Sequence, residues 1–224
     1  MSKLSRGQKG EEKVISTLKK IKEKHYLLND VTFINNKSDM SHQIDHILIH
    51  PHGVFVIETK NYYGQIKVNT LRNEWTICIK GLFKRIANPL LQNKSHAITL
   101  FRTLKGKYDI IPVVVLVKNN APYLPDDNVI NLDNLLLFIE SYPYKTVLSE
   151  KDMKDVYDII KKESTAITNK QHIENIKILK AYQKEQQEEI RYAIEQGKCP
   201  WCDAKIINKG HTFKCAKCDF TFKL

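Results

Sequence analysis

Eight consecutive residues, Ile110-Ile-Pro-Val-Val-Val-Leu-Val117, carry no polar or charged side chain. A run this short, apolar and rich in β-branched residues predicts a central strand covered on both faces, with Pro112 near its beginning. Ahead of it, Asn88-Pro89 reads as an N-cap followed by proline at the first helical position. The helix then runs through Ala97, Ile98, Phe101 and Leu104 to a stop at Gly106. A helix leading into a buried strand implies an α/β fold.

The remaining elements are read around that strand. Gly10 to Lys24 reads as an amphipathic helix, with Val14, Ile15, Leu18 and Ile21 at helical spacing. On a 3.6-residue period Glu11 shares the stripe of Ile15 and Leu18, whereas Glu12 lines up with Ser16 and Lys19, so Glu11 is a carboxylate turned inward. Two apolar runs, Gln43 to His50 and Val54 to Lys60, flank Pro51, His52 and Gly53 and form a hairpin. A second hairpin is expected from Gln65–Val68 to Trp75–Ile79, with Trp75, Ile77 and Ile79 on one face and Cys78 on the other. Val129-Ile130 and then Leu132 to Glu140 give a closing strand and helix. Ser149 and Asp152 make a capping pair that opens a helix to about Lys162. A long charged helix is expected over roughly Asn169 to Gln196; its irregular apolar positions leave open a spacer, an arm or a dimerising helix. The expected organisation is a domain over 1–145, a helical segment over 146–196 and a small module over 197–224.

Lys and Arg number 36 against 25 Asp and Glu, a net charge of +11. Such an excess concentrates polyanions, so nucleic acid is the expected partner and an anionic membrane surface the alternative. The N-terminal residues offer no signal-peptide core and no apolar run reaches the length of a membrane span, so a cytoplasmic protein is expected. In that reducing compartment the five cysteines do not suggest disulfides.

Four of those cysteines form Cys199-Pro-Trp-Cys202 and Cys215-Ala-Lys-Cys218, with twelve residues between the pairs. Two such turns complete an all-thiolate tetrahedral shell with no open position, the mark of a structural zinc ion. Without metal so short a module could hardly fold. Lys205, Lys209, Lys214, Lys217 and Lys223 interleave with Phe213, Phe220 and Phe222. That pattern suits nucleic-acid backbones, though the aromatics also serve as a minimal ribbon core. The module resembles the four-cysteine zinc ribbons appended to some topoisomerases, but Asp203 stands where a glycine is usual.

The first hairpin carries the chemistry. Glu58 and Lys60 share a face because strand side chains alternate. If His50-Pro51-His52-Gly53 is a tight turn, His50 pairs with Gly53, and counting back puts Asp45 opposite Glu58, with Cβ atoms about 4.5–5.5 Å apart. A bulge at Gly53 would instead turn Asp45 away. Two facing carboxylates repel unless a cation lies between them, and divalent ions such as Mg²⁺ bind carboxylate oxygens in this way. The plainer alternative is a cross-strand ion pair at a wet edge.

Gly10-Glu11, Gln43-Ile44-Asp45-His46, Val56-Ile57-Glu58-Thr59-Lys60-Asn61 and Asn88-Pro89-x-x-Gln92, in that order, resemble the nuclease-related domain family of the PD-(D/E)xK nuclease superfamily. The likeness spans roughly residues 5 to 105. It implies a restriction-endonuclease-like mixed sheet flanked by helices and a metal-dependent nuclease, and the expected enzyme is Mg²⁺- or Mn²⁺-dependent with DNA favoured over RNA. By resemblance, Asp45 and Glu58 are metal ligands, the Thr59 carbonyl adds a third, Lys60 positions or activates the attacking water, and Glu11 completes the acidic site. A non-catalytic nucleic-acid-binding protein that retains the fold is the competing reading. Among other residues, His42, His46, His50 and His52 gather near the hairpin without converging, His46 lying on the face opposite Asp45. Gln43 shares the face of Asp45, Cys78 reads as a small core residue, and Tyr62 and Tyr63 either cover the sheet end or stack on a base.

Overall fold

Ser5 begins the first element. Its Oγ accepts from Gln8 N (3.2 Å) while Gln8 Oε1 accepts from Ser5 N (2.9 Å), a capping box that starts helix α1 at Arg6 and sends it to Leu18. The helix is therefore earlier than the apolar spacing alone suggests, because the cap rather than the first apolar residue sets its beginning. The computed structural model describes residues 4–35, 40–68, 73–118, 120–143, 147–164, 184, 188, 190–200, 202–210, 212–218 and 221–223.

After α1 come β1 (Tyr26–Asn35), β2 (Met40–His50), β3 (Gly53–Lys60), β4 (Gln65–Lys67), β5 (Glu74–Ile79), β6 (Leu82–Ala87) and α2 (Pro89–Thr103). They are followed by β7 (Ile110–Leu116), β8 (Val129–Asn131), α3 (Leu135–Ser141) and α4 (Glu150–Glu163). The main sheet has the order β1-β2-β3-β7-β8, with β1, β2 and β3 antiparallel and β3, β7 and β8 parallel. It is a mixed α/β sheet flanked by helices, and the Ile110 run lies inside it, buried as its composition predicts. Ile47, Ile49, Val54 and Val56 face α2 and α4, meeting Ala97, Leu100, Met153, Val156 and Ile160. Leu48, Phe55, Ile57, Val113 and Val115 face α1 and α3, meeting Val14, Leu18, Leu135 and Ile139.

Asn88 Oδ1 accepts from Leu90 N (2.9 Å) with Pro89 at the first helical position, as the sequence predicts for α2. Ser149 and Asp152 likewise form a capping box at α4. Among the strands named so far, β1 and β6 have no counterpart in the sequence reading. The second hairpin is in fact the three-stranded sheet β4-β5-β6, closed by the two-residue turn Lys80-Gly81.

The chain divides into two compact units, 1–166 and 167–224. In the second, β9 (Ile206–Lys209), β10 (Thr212–Cys215) and β11 (Thr221–Lys223) form an antiparallel sheet in the order β11-β10-β9. Most of the long helix expected over 169–196 lies outside the described residues; 190–195 are helical.

Candidate functional site

The turn at Pro51-His52 sets everything that follows. His50 pairs with Gly53 and the ladder runs without a slip through Ile49↔Val54, Leu48↔Phe55, Ile47↔Val56 and His46↔Ile57. Asp45 and Glu58 are the next residues beyond that last pair, and each feels the other's charge. There the backbone ladder stops, and Asp45 Oδ2 itself accepts from Thr59 N at 2.8 Å. Glu58 is 3% exposed, and Lys60 Nζ donates to its Oε1 in close contact.

Burial pushes the Asp45 carboxyl up to about 8, with the Glu58 charge adding to it and the Thr59 N–H and Lys60 opposing. Burial also works against the Lys60 ammonium, but Glu58, Tyr62 and Asp45 outweigh it and hold Lys60 above its ordinary value. With a single ammonium beside two carboxylates, Asp45 holds a proton that a bound cation could replace. Such a donor set suits a hard divalent cation.

Glu11 arrives from α1, which packs on the opposite face of the sheet. Gly10 lets the helix come close, since a Cβ there would stand 2.9 Å from Asn61 Cβ and 3.3 Å from Thr59 Cγ2. Glu11 is half-buried, and its carboxyl is pushed up by burial, then by Asp30 and Glu58, with Lys60 pulling down. Its charge thus reaches the cluster around the end of the ladder.

Three residues absent from the sequence reading stand at this site. Asp30 has φ 53° and falls in register between Asn29↔His46 and Val31↔Ile44, beside Asp45; its Oδ1 accepts from Gln43 Nε2 at 3.1 Å. The signal that could have found it is Asn29-Asp30, two residues that tolerate left-handed backbone in the middle of an apolar run. His96, one turn beyond Gln92 on α2, places Nε2 3.9 Å from Glu58 Oε2 and 3.5 Å from Gln92 Nε2. The Asn88-Pro89-x-x-Gln92 pattern thereby reaches the Glu58 carboxylate. Asn93 donates from Nδ2 to Val56 O and Val113 O, both 2.9 Å, tying α2 to β3 and β7.

His46 lies on the face away from Asp45. Its Nδ1 is 2.8 Å from Asn29 Oδ1 and its Nε2 3.1 Å from Thr59 Oγ1, and burial lowers it to about 4, so it stays neutral. His50 and His52 stand at the far end of the hairpin, and the side chain of His42 lies outside the described residues. Cys78 is half-buried rather than part of the core.

In the second unit Cys199, Cys202, Cys215 and Cys218 bring all four Sγ atoms within 4.8 Å of one another. Sγ separations of 3.6 Å (199–218), 3.5 Å (202–215) and 3.6 Å (202–218) approach the roughly 3.8 Å edge of a tetrahedron with 2.3 Å zinc–sulfur bonds. The main-chain N–H groups of Lys217 and Cys218 donate to Cys215 Sγ at 3.2 and 3.3 Å. Burial opposes ionisation of that thiol, but these donors and the neighbouring thiols hold it down at about 6. The residues fit a structural zinc ion. Asp203 adopts φ 58°, the left-handed conformation for which a glycine is usual there. Phe213 packs beside Ile190, Ile194 and Ile206, as a ribbon core requires, while Phe220 lies outside the described residues. Among the described residues no helix is long and apolar enough to cross a membrane.

Comparison with known proteins bears on the same residues. An uncharacterized protein of Bacillus anthracis is 30% identical over 164 residues, which cover 69% of this chain and 75% of the relative. No solved structure matches the chain. Residues 6–117 match the nuclease-related domain, a stretch that contains Glu11, Asp45, Glu58, Lys60 and Gln92. With half its length in that match, the chain belongs to the nuclease-related domain family.

Proposed function

We propose that the protein is a Mg²⁺- or Mn²⁺-dependent nuclease that hydrolyses phosphodiester bonds in DNA. The observation that carries this reading is the half-buried Asp45 beside the buried Glu58, with Lys60 in contact, a site where a divalent cation could take the place of the Asp45 proton. Asp45, Glu58 and the Thr59 carbonyl would hold the ion, with Glu11 at the margin. When bound, the ion withdraws charge from the phosphate and acidifies water. Lys60 presents its ammonium to the attacking water and to the charge that develops on the phosphate oxygens. Asn93 and His96 fix α2 against the strand that bears Glu58, so the carboxylate keeps its aim. The four-cysteine module holds zinc and, through its lysines, adds affinity for the nucleic-acid backbone.

The test incubates the full chain with plasmid, linear single-stranded DNA and RNA under Mg²⁺, Mn²⁺ or EDTA. Glu58→Gln and Lys60→Ala should each lower cutting about a hundredfold or more, and EDTA should abolish it. Equal trace cutting by wild type and both variants would remove the enzyme. If DNA were still retarded on a gel, a binding protein that retains the fold would take its place.

A further inference from the structure

The sheet β4-β5-β6 has one committed face and one open face. Ile66, Trp75 and Ile77 turn inward against Leu90, Val114 and Leu116. The register places two rows on the other face, Gln65–Cys78–Phe83 and Lys67–Thr76–Arg85. Gln65, Cys78, Phe83, Lys67 and Thr76 of these rows line a cleft of about 590 Å³ together with Pro122 and Tyr123, and Arg85 ends the second row beside it. Phe83 is 77% exposed and Tyr123 72% exposed, two large rings at the cleft with nothing folded over them among the described residues.

The charge around the rings decides what fits. On the open side of the sheet stand Lys67 and Arg85, with Lys80 in the turn beside them, against Glu74, which lies 3.6 Å from Arg85 Nη1, and Asp126 and Asp127, which follow the cleft's Pro125. Lysine is depleted where proteins pack on proteins, whereas open aromatic rings among cations suit bases and phosphates of an unpaired strand. A duplex keeps its bases stacked inside and offers no ring face to Phe83.

Position supports the same ligand. Gln65 follows Lys60 by five residues, so the cleft begins within about 18 Å of chain from the candidate active site. Between them the Tyr63 ring carries Lys118 Nζ at 3.6 Å and Arg6 Cζ at 4.3 Å from its centroid. Asn120 donates to the Tyr62 and Gly64 carbonyls (3.1 and 2.6 Å), which fastens the Tyr123 loop to this path.

We propose that the cleft between Phe83 and Tyr123 is a stacking site for a nucleobase of single-stranded nucleic acid, with Lys67, Lys80 and Arg85 taking the adjoining phosphates. The site deepens the nuclease reading by naming the unpaired strand as the form that enters. The test measures anisotropy of a fluorescein-labelled oligothymidylate and of a duplex of equal length with the full chain in EDTA. Phe83→Ala and Tyr123→Ala should each weaken single-strand binding about tenfold and leave duplex binding nearly unchanged, with Phe83→Trp close to wild type. Arg85→Ala should reduce the salt slope by about one. A 2-aminopurine strand should be quenched by wild type and not by the double aromatic variant. Both rings are exposed, so melting temperatures should not move. A double variant that binds and quenches like wild type, loses single strand and duplex equally, or changes only its oligomeric state overturns the proposal. Since EDTA blocks cutting, a chain that cleaves but shows no such loss sinks only the cleft, and one that stacks but never cleaves sinks only the nuclease.

Discussion

Gly10 is held by the space its side chain would fill. Asn61 Cβ stands 2.9 Å from where a Gly10 Cβ would be, and a Cβ so near the backbone cannot swing aside. Gly10→Ala should therefore cost about 1–3 kcal/mol in urea unfolding. It should also weaken Mn²⁺ binding, read by calorimetry, because Glu11 is the next residue on the displaced helix. The buried titrating groups make a second prediction, for the protein in EDTA. Asp45, raised from 3.8 to about 8, keeps a proton in the folded state that the unfolded chain has released, so it weakens the fold as pH rises through that window. His46, lowered from 6.5 to about 4, acts oppositely: its ring charges in the unfolded chain first, and stability is lost as pH falls through 6.5. From pH 4 to 6.5 the two offset each other, and above 6.5 Asp45 acts without that opposition. Unfolding free energy should fall by about 1 kcal/mol between pH 6.5 and 8. Asp45→Asn should flatten that slope in urea titrations, and a slope that persisted would place the proton elsewhere.

At the level of helices and strands, Asn93 carries more than its sequence neighbours suggest. It is fully buried, and its two donations serve carbonyls on β3 and β7 close to Pro112, which has no N–H to give. Asn93→Leu should strand both carbonyls and cost about 2 kcal/mol or more, measured by thermal or urea unfolding. Neither Asn93 nor His96 is legible from sequence, since a polar residue on a helix says nothing about which strand it will touch. The hairpin register from His50↔Gly53 to His46↔Ile57 is legible because a tight turn and a period of two fix it. β1 escapes notice where Asp30 goes left-handed, interrupting the alternation. β6 escapes because Leu82 to Arg85 are all exposed, so no face shows a pattern; Lys80-Gly81, both at positive φ, was the available clue. The helix caps at Asn88 and Ser149 are legible, whereas the Ser5 to Gln8 box is hidden when apolar spacing alone sets the start of α1.

Across the whole molecule, a charge of +11 and a lysine-rich four-cysteine module suit a protein that meets a polyanion over more than one surface. The family match stops at residue 117, yet the first unit does not. β8 pairs along β7, α3 brings Leu135 and Ile139 to one face of the sheet, and α4 brings Met153, Val156 and Ile160 to the other. A fragment 1–117 should be recovered as aggregate and 1–166 as soluble monodisperse protein, distinguished by size-exclusion chromatography after expression. The shorter piece would expose β7 as an unprotected template for any neighbouring chain and strip grease from both sides of the sheet. Trimming at the border where kinship fades would thus amputate the parts that let this nuclease-like body survive in water.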